Sequence, residues 1–358
     1  MDRVPRSHTR VWVVGFGTVG RWLLHALDVH RERLADHYGV GLSVVGLASA
    51  HGGFVHAEDG LDIPAVLRLG ASGGSLTELP GVSYWPSAIE GLRATEADAL
   101  VEVTSSRSAD GEPGLTHMKE ALGRGIPVVT SNKWPVALAG VELTALARDR
   151  RTSFRAESTV MSGTPLLAAL VEGLGGAIPI GMRGILNATT NLILSRMMEG
   201  ASYEGALTEA RLAGLTEADP TADVSGADSV AKLMILAGLV FGRQLWPQDV
   251  ACRGITDLSR EEIDQASARG NRIRHVATLR FSEPDGAGSV DARVEPTQMR
   301  PGDPLATIEG VSNSVVCTMR PVGDVTITGP GAGADLAGQG VLSDLIATAR
   351  RRTMIGSR

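Results

Sequence analysis

Apolar and polar positions in the first part of the chain come in short bursts that break at glycine. Arg10-Val-Trp-Val-Val14 is a β-branched run that ends at Gly15-Phe16-Gly17-Thr18-Val19-Gly20, and a helical pattern over 21–38 follows. Further runs predict strands at 42–48, 99–106 and 126–131, with a helix at 117–123 before the last of them. This alternation, continuing to about residue 150, predicts an α/β fold with a Rossmann-type doubly wound parallel sheet in domain 1–150. Beyond it the pattern changes. Residues 152–161 alternate as a strand, 164–174 read as a helix opening with Pro165, 182–187 as a strand, and 203–212 as an amphipathic helix stopped by Gly214. Two hairpins, 273–281 with 289–295 and 315–319 with 325–328, predict a second, α+β domain over 151–320. A last glycine-rich turn, Gly329 to Gly333, precedes a helix at 340–350, so segment 321–358 is expected to return to the first domain.

The densest chemistry lies in Glu217-Ala-Asp219-Pro-Thr-Ala-Asp223-Val-Ser225-Gly-Ala-Asp228-Ser-Val-Ala-Lys232. Ser225 followed by Asp228 has the form of a helix N-cap with an acid in the first turn, and the apolar run 230–241 behind it predicts a buried helix. Residues four apart share a helix face, so Lys232 meets Asp228, and Asp223, Asp219 and Glu217 are expected to fold over them from the preceding loop. An exposed pair of this kind contributes little. Ser-Val-Ala-Lys-Leu-Met-Ile-Leu-Ala is too apolar for a solvent face, however, and a lysine ringed by acids on a buried helix is a candidate proton-handling site.

The glycine turn stands where a G-x-G-x-x-G dinucleotide site requires it, between strand and helix. Thr104 and Ser105 end a buried strand and Lys133 follows another, positions at which open α/β sheets place ligands; Lys133 reads equally as a solvated lysine. After the second strand an acid marks NAD and an arginine NADP, yet Ser49-Ala-His-Gly-Gly53 supplies neither. Asn187-Ala-Thr189-Thr-Asn191 suits either a polar substrate or an ordinary turn. With 358 residues, 43% hydrophobic, the chain can bury the cores of two domains, and a net charge of −6 excludes a basic nucleic-acid surface. Cys252 and Cys317 form no disulfide or zinc framework, and the absence of a membrane-length apolar run or signal-like start points to the cytoplasm.

From end to end, these blocks make the chain resemble the homoserine dehydrogenases. The markers are Gly15 to Gly20, Val128-Val-Thr-Ser-Asn-Lys133, Arg183-Gly-Ile-Leu-Asn-Ala-Thr-Thr-Asn191, Glu217 to Asp223 with Asp228 and Lys232, and Gly329-Pro-Gly-Ala-Gly333. Ser131 and Ala188 stand where many members have alanine and glycine. The resemblance implies reversible NAD- or NADP-dependent interconversion of L-homoserine and L-aspartate 4-semialdehyde, on the threonine and methionine branch. It makes Lys232 and Lys133 the catalytic lysines, and Glu217 and Asp228 substrate-binding carboxylates with Asp223 close by; Asn187 and Thr189 are further substrate-side candidates. Cofactor contacts fall on Gly15, Phe16, Gly17, Thr18, Val19, Gly20, Thr104, Ser105, Lys133 and Gly333. Glu157, Val160, Ser162 and Thr164 align with a loop for a monovalent cation such as sodium. A homodimer paired through the second domain is the family default, without the regulatory domain of longer members. Two alternatives stand beside it. A semialdehyde dehydrogenase needs a cysteine activated by histidine, and a non-catalytic dinucleotide sensor would have lost its proton site.

Overall fold

The structure is a computed structural model in which residues 7–50, 52–216, 219–282, 288–331 and 333–356 are described. Two compact units divide it: Met1–Thr159 with Ala334–Arg358, and Val160–Gly333. The sequence pattern placed those divisions near 150 and 320. Among the described residues no helix is long and apolar enough to cross a membrane.

The first unit is built on β1 (Ser7–Val14). Val11 and Val13 enter one apolar cluster while Trp12 and Val14 enter another, so the strand's two-residue period separates the cores on the two faces of its sheet. Being buried on both sides, its second half, Val11 to Val14, reads as a continuous apolar run, as parallel strands do. There follow α1 (Thr18–Val29), α2 (Arg31–Tyr38), β2 (Val40–Ser49), β3 (Gly53–His56), α3 (Ile63–Ser72), β4 (Ser83–Trp85), α4 (Ala88–Ala94), β5 (Ala99–Glu102), α5 (Gly114–Gly123), β6 (Val128–Thr130), α6 (Lys133–Asp149) and β7 (Phe154–Arg155). The strand order is β4-β3-β2-β1-β5-β6-β7. Five strands, β2, β1, β5, β6 and β7, run parallel, and β3 and β4 continue the edge antiparallel. The chain leaves β1 toward β2 and returns to its other side at β5, which opens a crevice beyond their carboxyl ends.

Three local expectations change. The helix over 21–38 begins at Thr18 and is two helices, separated at His30, whose φ of −100° and ψ of 14° interrupt the turn. The antiparallel β2–β3 pair adds to the strands expected from sequence, and β3 opens at Gly53, at φ +63°. The strand over 152–161 survives only as β7, after which the chain coils into α7 (Ser158–Met161), across the division between the units. An alternating pattern could not register that Asp344, far along the chain, captures the Glu157 amide at 2.9 Å.

In the second unit the helix expected at 164–174 runs partly as a π-helix, over Ala168–Gly173. The remaining elements are β8 (Ile178–Ile185), α8 (Ala188–Met198), α9 (Tyr203–Leu212), α10 (Thr221–Val224), α11 (Ala227–Phe241), β9 (Ala251–Cys252), α12 (Arg260–Ala268), β10 (Arg272–Phe281), β11 (Val290–Met299), β12 (Ser312–Arg320) and β13 (Gly323–Pro330). The sheet order is β13-β12-β8-β10-β11-β9. Both hairpins pair antiparallel, β10 with β11 and β12 with β13, and β8 lies between them. Residues 283–287, between β10 and β11, lie outside the described residues. Helix α11 is buried on all sides from Ser229 to Gly238, as its apolar residues on every face require, and Lys232 is buried with them. Its N-cap is Gly226, at φ +91°, and not Ser225, which ends α10.

Helix α13 (Ala334–Gly356) starts earlier than the pattern suggested and packs against α1, β1 and β6 of the first unit. Its Asp344 accepts from the Glu157 amide and lies 3.6 Å from Arg155, both side chains being largely buried. Ser158 Oγ donates to the Ala337 carbonyl at 2.5 Å, and Arg352 pairs with Asp98 at 2.7 Å. Removing one partner from a buried ion pair leaves the other charge uncompensated. Asp344→Ala is therefore expected to destabilise the protein by about 3 kcal/mol, read from chemical denaturation midpoints at constant m-value.

Candidate active site

At the carboxyl ends of β1 and β5 the three glycines of the first turn meet three different demands. Gly15 has φ +119°, and a Cβ there would stand 2.7 Å from the Val103 carbonyl carbon and 2.9 Å from the Thr104 nitrogen. A Cβ on Gly20 would strike the Gly15 carbonyl oxygen, so the third glycine brings helix and turn together. At Gly17 nothing lies within 4 Å: the position is exposed, it caps α1, and no side chain closes that helix end. Tight turn, open approach to a helix N-terminus and close packing are the requirements of a pyrophosphate site, so the residues fit a dinucleotide. Thr18 is exposed beside Gly17, and Val19 is half-buried. The half-buried Phe16 carries the Arg21 guanidinium over its ring at 4.8 Å. Across the crevice, Thr104 is half-buried and Ser105 exposed, while Lys133 is the first residue of α6, just past β6.

Beneath that edge lies a network the motif pattern did not reveal. Glu102, fully buried at the end of β5, accepts from the Thr104 hydroxyl and, at 3.0 Å, from Asn132 Nδ2; His117 Nδ1 stands 3.5 Å from the same carboxylate. The available signal was an acid inside the otherwise apolar strand Ala-Leu-Val-Glu102.

In the second unit Lys232 sits in the middle of α11, 8% exposed. Its Nζ donates to the Leu186 carbonyl at 2.7 Å and pairs with Asp228 Oδ2 at 2.9 Å. Asn187 Nδ2 donates to Asp223 Oδ1 at 2.7 Å and to Asp228 Oδ2 at 3.0 Å, holding two like charges with one amide group. The same residue caps α8 through the Thr190 amide, at 2.8 Å, so the turn expected at 187–191 is a helix start. Thr189 Oγ1 donates to the Leu215 carbonyl at 2.9 Å, and Asn313 Nδ2 shares the Leu186 carbonyl with Lys232, at 3.1 Å. Leu186 and Asn313 were not singled out from sequence, since neither carries a local signal. Asp219, expected over Lys232, is exposed and bonded to Thr221, whose hydroxyl and amide hold its carboxyl below the usual range. Glu217 lies outside the described residues.

The residues of the expected cation loop fall on both sides of the division. Glu157, Val160 and Thr164 are buried, Ser162 has φ +53°, and Thr164 N donates to the Met161 carbonyl at 3.0 Å. Among the described residues no group of three or more His, Cys, Asp or Glu side chains is arranged to hold a metal. Gly333, at φ +138°, is the exposed last residue of the second unit. Burial pushes the Cys317 thiol up to about 12 and raises Cys252 as well, the opposite of an activated nucleophile.

Known proteins resemble the chain over nearly its whole length. The sequence profile of the homoserine dehydrogenase family matches residues 165–346. An NAD(+)-dependent homoserine dehydrogenase of Pseudomonas canavaninivorans is 38% identical over 335 residues, 93% of this chain and 94% of that protein. A homoserine dehydrogenase of Methanocaldococcus jannaschii is 33% identical over 335 residues, 93% and 96% respectively. Among solved structures, a putative homoserine dehydrogenase from Archaeoglobus fulgidus superposes with a TM-score of 0.81 at 29% identity, covering 95% of this chain and 98% of that one. A hyperthermophilic archaeal homoserine dehydrogenase in complex with NADPH gives 0.79 at 28% identity, covering 96% and 98%. With its glycine turn, its buried Lys232–Asp228 pair and relatives of this similarity along its length, the chain belongs to the homoserine dehydrogenase family.

Proposed function

We propose that the protein catalyses the reversible NAD(P)-dependent interconversion of L-homoserine and L-aspartate 4-semialdehyde, with Lys232 moving the proton. The observation that carries the reading is the buried ammonium of Lys232, paired with Asp228 and donating to the Leu186 carbonyl. The first unit holds the dinucleotide through Gly15, Phe16, Gly17, Thr18, Val19, Gly20, Thr104, Ser105 and Lys133, with Gly333 added from the turn before α13. A dinucleotide held there would supply the acceptor, or in the other direction the donor, of the hydride at the carbon that bears the hydroxyl. During oxidation Lys232, as the free amine, takes the hydroxyl proton and becomes the ammonium; in the other direction the ammonium polarises the aldehyde oxygen, gives its proton to it and returns to the amine. Lys133, at the start of α6, is a second electrophile on the cofactor side. Glu217, Asp223 and Asp228 bind the α-ammonium of homoserine, the charge-assisted contact that carboxylates make best; Asn187 bridges Asp223 and Asp228, and Thr189, on the substrate side, is tied to the Leu215 carbonyl.

A relative named NAD(+)-dependent and a neighbour solved with NADPH support a nicotinamide dinucleotide of either form. Backbone carbonyls around Glu157, Val160, Ser162 and Thr164 are the proposed monovalent-cation ligands. Pairing as a homodimer through the second unit, a place on the threonine and methionine branch and a cytoplasmic location complete the proposal by family likeness. The thiol-nucleophile alternative has no support in the raised Cys252 and Cys317 thiols, and a sensor without a proton site is at odds with the intact Lys232 pair.

L-Homoserine incubated with NAD and with NADP in parallel is expected to reduce at least one of them; no homoserine-dependent absorbance change with either would overturn the reading. Lys232→Met keeps the bulk of the side chain and should lower kcat by roughly a hundredfold or more, and near-normal turnover in a folded variant refutes its role. Asn187→Ala releases the two carboxylates from their shared donor. It should raise KM for homoserine about tenfold, with a smaller change in kcat, in steady-state assays.

A further inference from the structure

The crevice edge of the first unit contains a buried carboxylate that the proton-transfer scheme does not use. Glu102 is 0% exposed, and donors from two separate loops converge on it. From its own loop come the Thr104 hydroxyl and, at 3.4 Å, the Thr104 amide; from the loop after β6 comes Asn132 Nδ2, at 3.0 Å. Asn132 Nδ2 also reaches Ser106 Oγ at 2.7 Å and Thr104 Oγ1 at 3.2 Å, and Ser106 Oγ accepts from the Gly114 amide at 3.1 Å. The Glu102 main chain takes part too: its carbonyl accepts from Thr130 Oγ1 at 2.7 Å, and that hydroxyl accepts from the Asn132 amide at 2.9 Å. His117 Nδ1 stands 3.5 Å from Glu102 Oε1, the oxygen that also accepts from Thr104.

Asn132 occupies the N-cap position of α6, where an asparagine ordinarily turns its side chain onto the helix amides, yet here it makes no cap hydrogen bond. Its amide is committed to Glu102 and Ser106 instead. Space around the tie is closed as well, since a Cβ on Gly114 would lie 2.6 Å from Asn132 Nδ2 and 2.7 Å from Ser106 Oγ. The tie bears on the glycine turn, because the Thr104 nitrogen is 2.9 Å from where a Gly15 Cβ would stand. A carboxylate suits this junction because it only accepts; an amide in its place would turn an N–H toward one of the donors.

We propose that Glu102 is a positioning residue for the dinucleotide: it ties segment 104–106 to Asn132 and so sets the walls of the crevice into which Gly17 opens and beside which Lys133 begins α6. The assignment rests on the dinucleotide-dependent function proposed above. Glu102→Gln and Asn132→Asp should each weaken binding of the dinucleotide, measured by isothermal titration with NADH and NADPH, by about tenfold, the scale of one or two lost hydrogen bonds. The double variant reverses the direction of the Glu102–Asn132 bond, with the amide donating to the carboxylate, and should bind within about threefold of wild type. KM for the dinucleotide should follow these changes, while kcat at saturating dinucleotide and KM for homoserine move by less than about threefold.

A purely structural role predicts the reverse pattern: lowered melting temperatures, no selective loss of dinucleotide affinity and no recovery in the double variant. Single variants that bind as tightly as wild type, or a double variant no better than the weaker single one, would overturn the assignment while leaving the enzyme reading intact. Wild-type protein that bound neither NADH nor NADPH would overturn both. Should Glu102→Gln fail to fold, Asn132→Ala cuts the same tie from the other end without adding charge, and unaltered affinity there overturns the proposal equally.

Discussion

Removing an ammonium from water costs several kcal/mol, and a partner must be held close and in the right direction to offset it. Lys232 meets that constraint with two groups, the Asp228 carboxylate one helical turn earlier and the Leu186 carbonyl just past β8. Much of the second unit's local geometry follows. Helix α11 has to be interior, β8 has to stop before Leu186 so that its carbonyl is left for the amine, and α8 has to start at Asn187 so that the next side chain steadies the carboxylates. Buried ion pairs seldom add net stability compared with apolar packing. An arrangement this fully partnered is better accounted for by chemistry at the amine than by the stability of the fold.

The first unit follows related logic at the end of its sheet. A parallel sheet whose order reverses at β1 leaves a crevice, and glycine keeps the crevice accessible: positive φ at Gly15, open space at Gly17 and contact with the Gly15 carbonyl at Gly20. Glycine alone does not hold such an edge in shape. The loops after β5 and β6 are joined from below by Glu102, Thr104, Asn132 and Ser106, and α13 secures the far end of the unit through Asp344 and Arg352.

The misread elements share a cause. Residues 152–161 alternate well enough for a strand, but Asp344, separated by 187 positions, takes the Glu157 amide and the chain turns into α7. Ser225 has the chemistry of an N-cap, yet the short helix α10 ends on it and Gly226 supplies the left-handed conformation that starts α11. In both places a local preference gave way to a tertiary partner or to a turn geometry open to glycine. Asp219 is a different case, because its partner Thr221 is only two positions away and this local pairing, with no distant group involved, keeps it on the surface.

What the amino-acid order determined by itself is whatever repeats over a few residues. The two-residue period of the strands, the three spaced glycines and the one-turn spacing of Asp228 and Lys232 are enforced by backbone geometry, so they were legible without a structure. Tertiary structure alone decided which distant groups complete each site. Leu186 reaches Lys232 across 46 positions, Asn187 reaches Asp228 across 41, and Glu102 reaches Asn132 across 30. No local period encodes such pairings; they exist because burial takes water away from polar groups and each must then find a partner wherever the fold brings one within reach.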